Sequence, residues 1–367
     1  MQELQIVNDG ALLIRNGIIE ESGPTQRIEN LQKAKGAREI DALGKIVMPA
    51  FVDPDAVLVA PPSQISRTSG EARVPPLKVL SKRRLEAVAV AAAAAWARCG
   101  TLVVGAHSGY AIDLRETSKV LRIHQGLQGR PLRIRSIFSP RNSPGAEVLI
   151  DKWLPTIRKR NLAPLLELTA GAEGGLTTEE LRAVATAAAG LGYSLRIRTA
   201  TPQADEVCTL AMEGGAVAIV SAMPPNPEYA ARLTATGCIY VISAMTPERD
   251  AGRMVRAAID EGAAFALASS YQTAGVGCFN PQHLLYLAKE QCGMTDEQAI
   301  VASTWNAACS LRMSHVTGSL EPGKAGDVLV MDVPDYRELS RRPGHSDVQI
   351  ALRGGQAVYR RGGLILD

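Results

Sequence analysis

Short apolar runs open the chain. In ALLIRNGIIEESG, Asn16-Gly17 separates two such runs, and this dipeptide accepts the positive φ angles of a tight hairpin turn. Similar short runs close the chain, with DVLVMDV and then QIALRGGQAVYRRGG, in which Gly354-Gly355 can turn a second hairpin. Between the two ends the pattern changes. SKRRLEAVAVAAAAAWARCG reads as an Ala-rich helix ending near Gly100, and TLVVGA follows as a buried strand. From about residue 160 strands and helices alternate regularly: LAPLLELTA, SLRIRTA, GAVAIVSA, CIYVISA and AAFALASS read as strands. The helix TTEELRAVATAAAGLG carries Thr177 and Glu180 at the spacing of a capping box, and further helices are expected at 204–214, 227–237 and 246–262.

Strand-helix alternation at this spacing requires a parallel sheet. So many repeats fit a closed eight-stranded (β/α)8 TIM barrel better than an open sheet. No glycine-rich phosphate loop follows any of these strands, which weighs against dinucleotide binding. In such barrels the chemistry is expected at the C-terminal ends of the strands.

Composition narrows the partners. With 46% hydrophobic and 21% charged residues, the 367-residue chain has the make-up of a globular protein with a large core, expected as one large domain plus a small one. A net charge of +3, with basic runs as short as Lys82-Arg83-Arg84, leaves no footprint for nucleic acid. The longest apolar stretch, Val88 to Ala97, is too short to span a bilayer, and MQELQIVNDG lacks the layout of a signal segment, so a cytoplasmic protein without membrane contact is expected. The six cysteines lie far apart with no C-x-x-C pair, as for reduced, mostly buried thiols.

Three segments carry a family resemblance. GKIVMPAFVDPDAVLVA resembles the opening motif of the amidohydrolase superfamily, whose first barrel strand ends in D-P-H-x-H in imidazolonepropionase. MTDEQAIVASTWNAACSL and GSLEPGKAGDVLVMDVPDYREL resemble the closing helix and the return strands, with Val333-Pro334-Asp335-Tyr336-Arg337 closer to imidazolonepropionase than to the superfamily at large. His107-Ser108-Gly109-Tyr110-Ala111 lies where that family has K-S-G-Y-G. The resemblance implies a metal-dependent-hydrolase barrel over residues 50–317, with a small composite β-sandwich built from 1–49 and 318–367. It also admits a homodimer.

The same alignment implies a changed site. Imidazoles and a carboxylate hold zinc or iron in this superfamily and bring a bound water near neutrality. Here the first His of H-x-H becomes Asp55 and the second Val57, a ligand His becomes Arg198, the next strand end reads Val220-Ser221, and Ser270 stands where an Asp serves as ligand and base. Arg198 carries a permanent positive charge, and a serine hydroxyl is no substitute base. The vestigial catalytic positions are therefore Asp55, Arg198 and Ser270. Tyr110, His107 and Asn142 stand as substrate-binding candidates, and no metal ligand is assigned. Asp55 and Arg198 are expected to form an ion pair if both enter the barrel mouth.

His107 finds no second His, Cys or carboxylate at a coordinating interval along the sequence, and His124, His283, His315 and His345 are expected at surface or satisfied core positions. The reading that follows is a degenerate, metal-free relative of imidazolonepropionase, with no cofactor and a binding or assembly role for a small polar or anionic ligand. The alternative is an active amidohydrolase cleaving a cyclic amide C–N bond, as in imidazolone propionate, with zinc or iron held by a cluster drawn from Asp55, His107, Glu173 and Asp205. A third possibility, metal-independent chemistry on Asp55, calls for a raised pKa at that carboxyl.

Overall fold

Asn16 and Gly17 take φ angles of 53° and 83° and join β1 (Gly10–Arg15) to β2 (Ile18–Pro24) as an antiparallel hairpin. The structure, a computed structural model, describes residues 4–59, 64–65, 72–73, 77–109, 111–140, 144–172, 175–200, 205–223, 226–243, 249–272 and 278–364. After β3 (Ile46–Pro49) the chain enters a parallel sheet through β4 (Phe51–Val57), α1 (Lys82–Arg98) and β5 (Thr101–His107). It continues through α2 (Leu114–Gly126), β6 (Arg133–Phe138), the helical stretch α3 (146–159), β7 (Leu165–Ala170), α4 (Thr178–Gly190) and β8 (Ser194–Thr199). Then come α5 (Asp205–Glu213), β9 (Ala218–Ser221), α6 (Pro227–Ala235), β10 (Ile239–Ser243), α7 (Arg249–Asp260) and β11 (Phe265–Ala268).

Every neighbouring pair from β4 to β11 is parallel. Two residues beyond β11, β12 (Tyr271–Gln272) pairs with β4, so the sheet returns on its first strand as an eight-stranded barrel. The barrel is a mixed α/β fold with its helices outside. Three further helices, α8 (Pro281–Cys292), α9 (Asp296–Ala302) and α10 (Trp305–Ser310), lead to β13 (Val328–Met331), β14 (Val348–Arg353), β15 (Gln356–Arg360) and β16 (Gly363–Leu364). These last four strands form one antiparallel sheet with β3, in the order β16-β15-β14-β13-β3, so both ends of the chain contribute to it. Leu12 and Ile14 of the first hairpin pack on the cluster Val328, Val330, Ile350 and Leu352 of that sheet.

The local sequence signals explain many of the boundaries. Thr177 and Glu180 form the reciprocal capping box that starts α4, and Gly354 and Gly355 turn the C-terminal hairpin at φ 55° and 76°. The expected helix from Thr246 begins, among the described residues, at Arg249, and residues 244–248 lie outside them. The stretch 146–159 was not legible as helix. It contains a π turn at Leu149–Trp153, two residues ahead of Pro155, whose ring nitrogen cannot donate back into the ladder.

The lower barrel is an apolar plug. Val52, Val103, Leu165, Val241 and Ala266 meet Ala307, Ala308 and Leu311, so α10 and the residues after it close the base of the barrel. No helix among the described residues is long and apolar enough to cross a membrane.

Candidate functional site

Pro54 sits where β4 loses register with β5, between Asp53 and Ala56. The shift sends two nearby carboxylates to opposite sides of the sheet. Asp53 points outward. Its Oδ1 accepts from the backbone N–H of Asp55 (3.3 Å) and Ser269 (3.2 Å), and its Oδ2 accepts from Trp96 Nε1 (3.2 Å) and from the Ser269 hydroxyl. Burial pushes its pKa up to about 6 against the pull of those hydrogen bonds. Asp53 thereby ties β4 to α1 and to the end of β11.

Asp55 points inward and meets four charged or ionisable side chains from three other strands. In the parallel pairing of β7 and β8, Arg196 is in register with Glu167 and Arg198 with Thr169, so the alternate residues of SLRIRT and LLELTA share the inner face. Arg198 donates from Nε to Glu167 Oε1 (2.7 Å) and from Nη2 to Asp55 Oδ1. The same Nη2 lies 3.2 Å from His107 Nε2 and 3.5 Å from Glu167 Oε2. His107, the last residue of β5, contacts Asp55 Oδ1 through Nε2 and has Nδ1 3.3 Å from Glu167 Oε1. Below them Arg196 is fully buried, donating to Glu167 Oε2 (3.3 Å) and to the backbone carbonyls of Ser310 (3.3 Å) and Pro54 (3.0 Å). That contact with Ser310 places a cation at the C-terminal end of α10, the favourable end for one.

Burial alone would raise both carboxyl pKa values, but the surrounding charges win. Arg198, His107 and Arg196 hold Asp55 well below the ordinary carboxylate range, and the same three groups bring Glu167 down to about 2. Desolvation works against the charged form of Arg198, yet Asp55 and Glu167 hold its pKa above the ordinary value. Two carboxylates thus face two guanidinium groups, with the imidazole between them. A raised pKa at Asp55, the condition for acid–base chemistry there, is the opposite of what this environment imposes.

The structure brings Asp55, Arg198, His107 and Ser270 together. Ser270, at φ 48°, donates to Asp55 Oδ2 at 3.4 Å. Ser221 is buried, its hydroxyl accepting from the backbone N–H of Met223 at 3.1 Å, and Val57 is buried on β4. Tyr110, Asn142 and Glu173 lie outside the described residues.

Several expectations need correction. Asp205 is exposed at the start of α5 and does not join the cluster. The third acidic or imidazole donor is Glu167, and it was missed. Its signal was an acidic residue inside the apolar strand LLELTA, opposite two alternate arginines in SLRIRT. His107 does have carboxylates at coordinating range, brought by sheet closure from other strands. His124 is no satisfied core residue: it is fully buried on α2, neither ring nitrogen has a hydrogen-bond partner, and burial lowers its pKa to about 3. His283 is likewise buried at Nδ1 without a partner, whereas His315 and His345 are exposed.

One oxygen or nitrogen each from Asp55, His107 and Glu167 lie within 4.8 Å of one another, a donor set that suits a divalent cation by type. The space they share, however, holds Arg198 Nη2. With that cation in place the residues do not fit a metal as well. The family's other ligand positions, read from the sequence resemblance, present Val57, Arg198, Ser221 and Ser270.

A barrel with its charged groups gathered at the strand ends is shared by many enzyme classes, so the class is given by comparison with known proteins. The sequence profile of the amidohydrolase family matches residues 209–357. The imidazolonepropionase of Solibacter usitatus is 30% identical over 400 residues, covering 98% of this chain and 93% of the relative. That of Brevibacillus brevis is 27% identical over 407 residues, covering 99% and 93%. Among solved structures, N-isopropylammelide isopropylaminohydrolase from Burkholderia multivorans superposes with a TM-score of 0.74 at 19% identity, covering 96% of this chain and 95% of that one. An adenosine deaminase from Xanthomonas campestris with bound zinc gives 0.70 at 16%, covering 100% and 92%. These structural likenesses speak for the fold. On the sequence relationship, the chain belongs to the imidazolonepropionase-like amidohydrolases.

Proposed function

We propose that this chain is an imidazolonepropionase-related protein without metal-dependent hydrolase activity, whose barrel mouth serves binding or assembly around a small polar or anionic ligand. The observation that carries the reading is the position of Arg198 Nη2, in contact with Asp55 and within 3.5 Å of His107 Nε2 and Glu167 Oε2. Hydrolysis in this superfamily needs a water made nucleophilic by a metal and a base to take its proton. A guanidinium neutralises the carboxylates but offers no coordination site for water, and Asp55 and Glu167, held at low pKa, are weak bases. Ser270 supplies only a hydroxyl. The side chain of Arg198 is 23% exposed, while those of Asp55, His107, Glu167 and Arg196 are at most 5% exposed, so Arg198 is the charged group of this cluster that a ligand in the mouth would meet.

A second reading, an active hydrolase of a cyclic amide C–N bond with zinc or iron on Asp55, His107 and Glu167, is favoured by the convergence of those three donors. It requires Arg198 to leave. Turnover of imidazolone propionate by the purified protein, with added zinc and again with chelator, separates the two. The proposal expects no turnover above background in either case, and chelator-sensitive turnover would overturn it.

A further inference from the structure

Arg133 and Arg135 of β6 lie on the same face of the strand as Ile137, which packs with Leu311 in the barrel interior. Like Arg196 and Arg198 of β8, they are turned into the barrel. Arg198 is balanced by Asp55 and Glu167, and Arg196 by Glu167. Arg133 is balanced by Asp327, to which its Nε donates at 2.6 Å and its Nη2 at 3.3 Å. Arg135 differs: among the described residues no carboxylate lies within ion-pair distance of it. Its Nε donates to the Leu311 carbonyl at 3.1 Å, and its two terminal nitrogens have no protein acceptor among those residues. We propose that Arg135 and Arg312, at the base of the barrel, bind a dianionic phosphate group, free or as a monoester.

The carbonyl that holds Arg135 Nε belongs to the peptide bond leading from Leu311, just after α10, into Arg312. Arg312 is exposed and forms no ion pair among the described residues. A carbonyl at a helix C-terminal end attracts a cation, which accounts for Nε but leaves the rest of that guanidinium, and Arg312, without a counter-charge. Burial, and then the neighbouring charge of Arg312, lower the Arg135 pKa, while the guanidinium stays protonated. Asp327 cannot relieve the repulsion, because its oxygens already accept from Arg133 and from the Gly354 N–H at 2.8 Å. An anion of two negative charges can. A guanidinium fixed through Nε presents its terminal nitrogens as a planar fork that matches two oxygens of a phosphate, and a phosphate monoester carries about −1.5 to −2 charges at neutral pH. β6 begins at Arg133, so Arg135 stands toward the N-terminal end of its strand, away from the strand ends that carry His107 and Arg198.

The test is calorimetric titration of the wild type with inorganic phosphate and, separately, with glycerol phosphate, each against sodium chloride at matched ionic strength. Saturable binding of a single phosphate group per chain is expected, with a melting temperature raised beyond the chloride control. The tighter of the two probes tells whether the free ion or the monoester is the ligand. Arg312→Gln, at an exposed position, should weaken binding about tenfold or more, the worth of a hydrogen bond to a charged partner. Arg135→Lys keeps a cation but loses the fork, and should weaken binding by a similar factor. If Arg135→Lys does not fold, Arg312→Gln decides alone. Absence of saturable binding by either probe overturns the site without bearing on the metal-free reading of the mouth. Undiminished binding in Arg312→Gln overturns it too, and loss of that binding in Arg198→Met would then place the anion in the mouth.

Discussion

Glu167 accepts from both Arg196 and Arg198 while fully buried, so it helps to balance both guanidinium groups. Glu167→Gln would leave two guanidinium groups with only Asp55 to oppose them, and breaking a buried network in this way costs about 3–5 kcal/mol. Urea denaturation at pH 7 should show a loss of that order. The pH dependence follows from the depressed pKa. Since the folded value, about 2, lies below the ordinary 4.5, the Glu167 contribution is present above pH 4.5 and is lost as pH falls toward 2. The stability gap between wild type and Glu167→Gln should therefore narrow over that window and stay level above it. At this scale the sequence was partly legible. Asp55, Arg198, His107 and Ser270 could be located by motif, but Glu167 could not, and Arg196 was given no role, because their partners are separated in sequence and meet only through strand register.

Elements were easier to read than residues where a local signal fixed them. Asn16-Gly17, Gly354-Gly355 and the Thr177/Glu180 box mark their turns and cap by chemistry that acts within a few residues. The break in β4 has no such signal beyond Pro54, since a bulge is defined by the partner strand. Its packing gives a direct test. A Cβ on Gly105 of β5 would stand 2.6 Å from the Pro54 carbonyl oxygen and 2.6 Å from Leu311 Cδ2, wedged between the β4 bulge and the barrel's basal plug. Gly105→Ala is accordingly expected to lower stability by about 1–3 kcal/mol, the usual cost of overpacking. An unchanged urea midpoint would mean that the bulge and plug are looser than described.

For the whole molecule, alternation of strands and helices together with the family resemblance was enough to anticipate the barrel, and the paired hairpins at both ends anticipated sheets there. The charged centre is a property of closure. Asp55 and Arg198 are 143 residues apart in sequence, and four strands have to take their registers before the two carboxylates, the imidazole and the two guanidinium groups meet. The central claim is that this meeting replaces a metal with an arginine. Metal content per chain, measured by elemental mass spectrometry on wild-type protein purified without chelator and again after dialysis against zinc, tests it most directly. The account predicts well under one equivalent retained in both samples; one tightly held equivalent would contradict it and return the protein to the metal hydrolases.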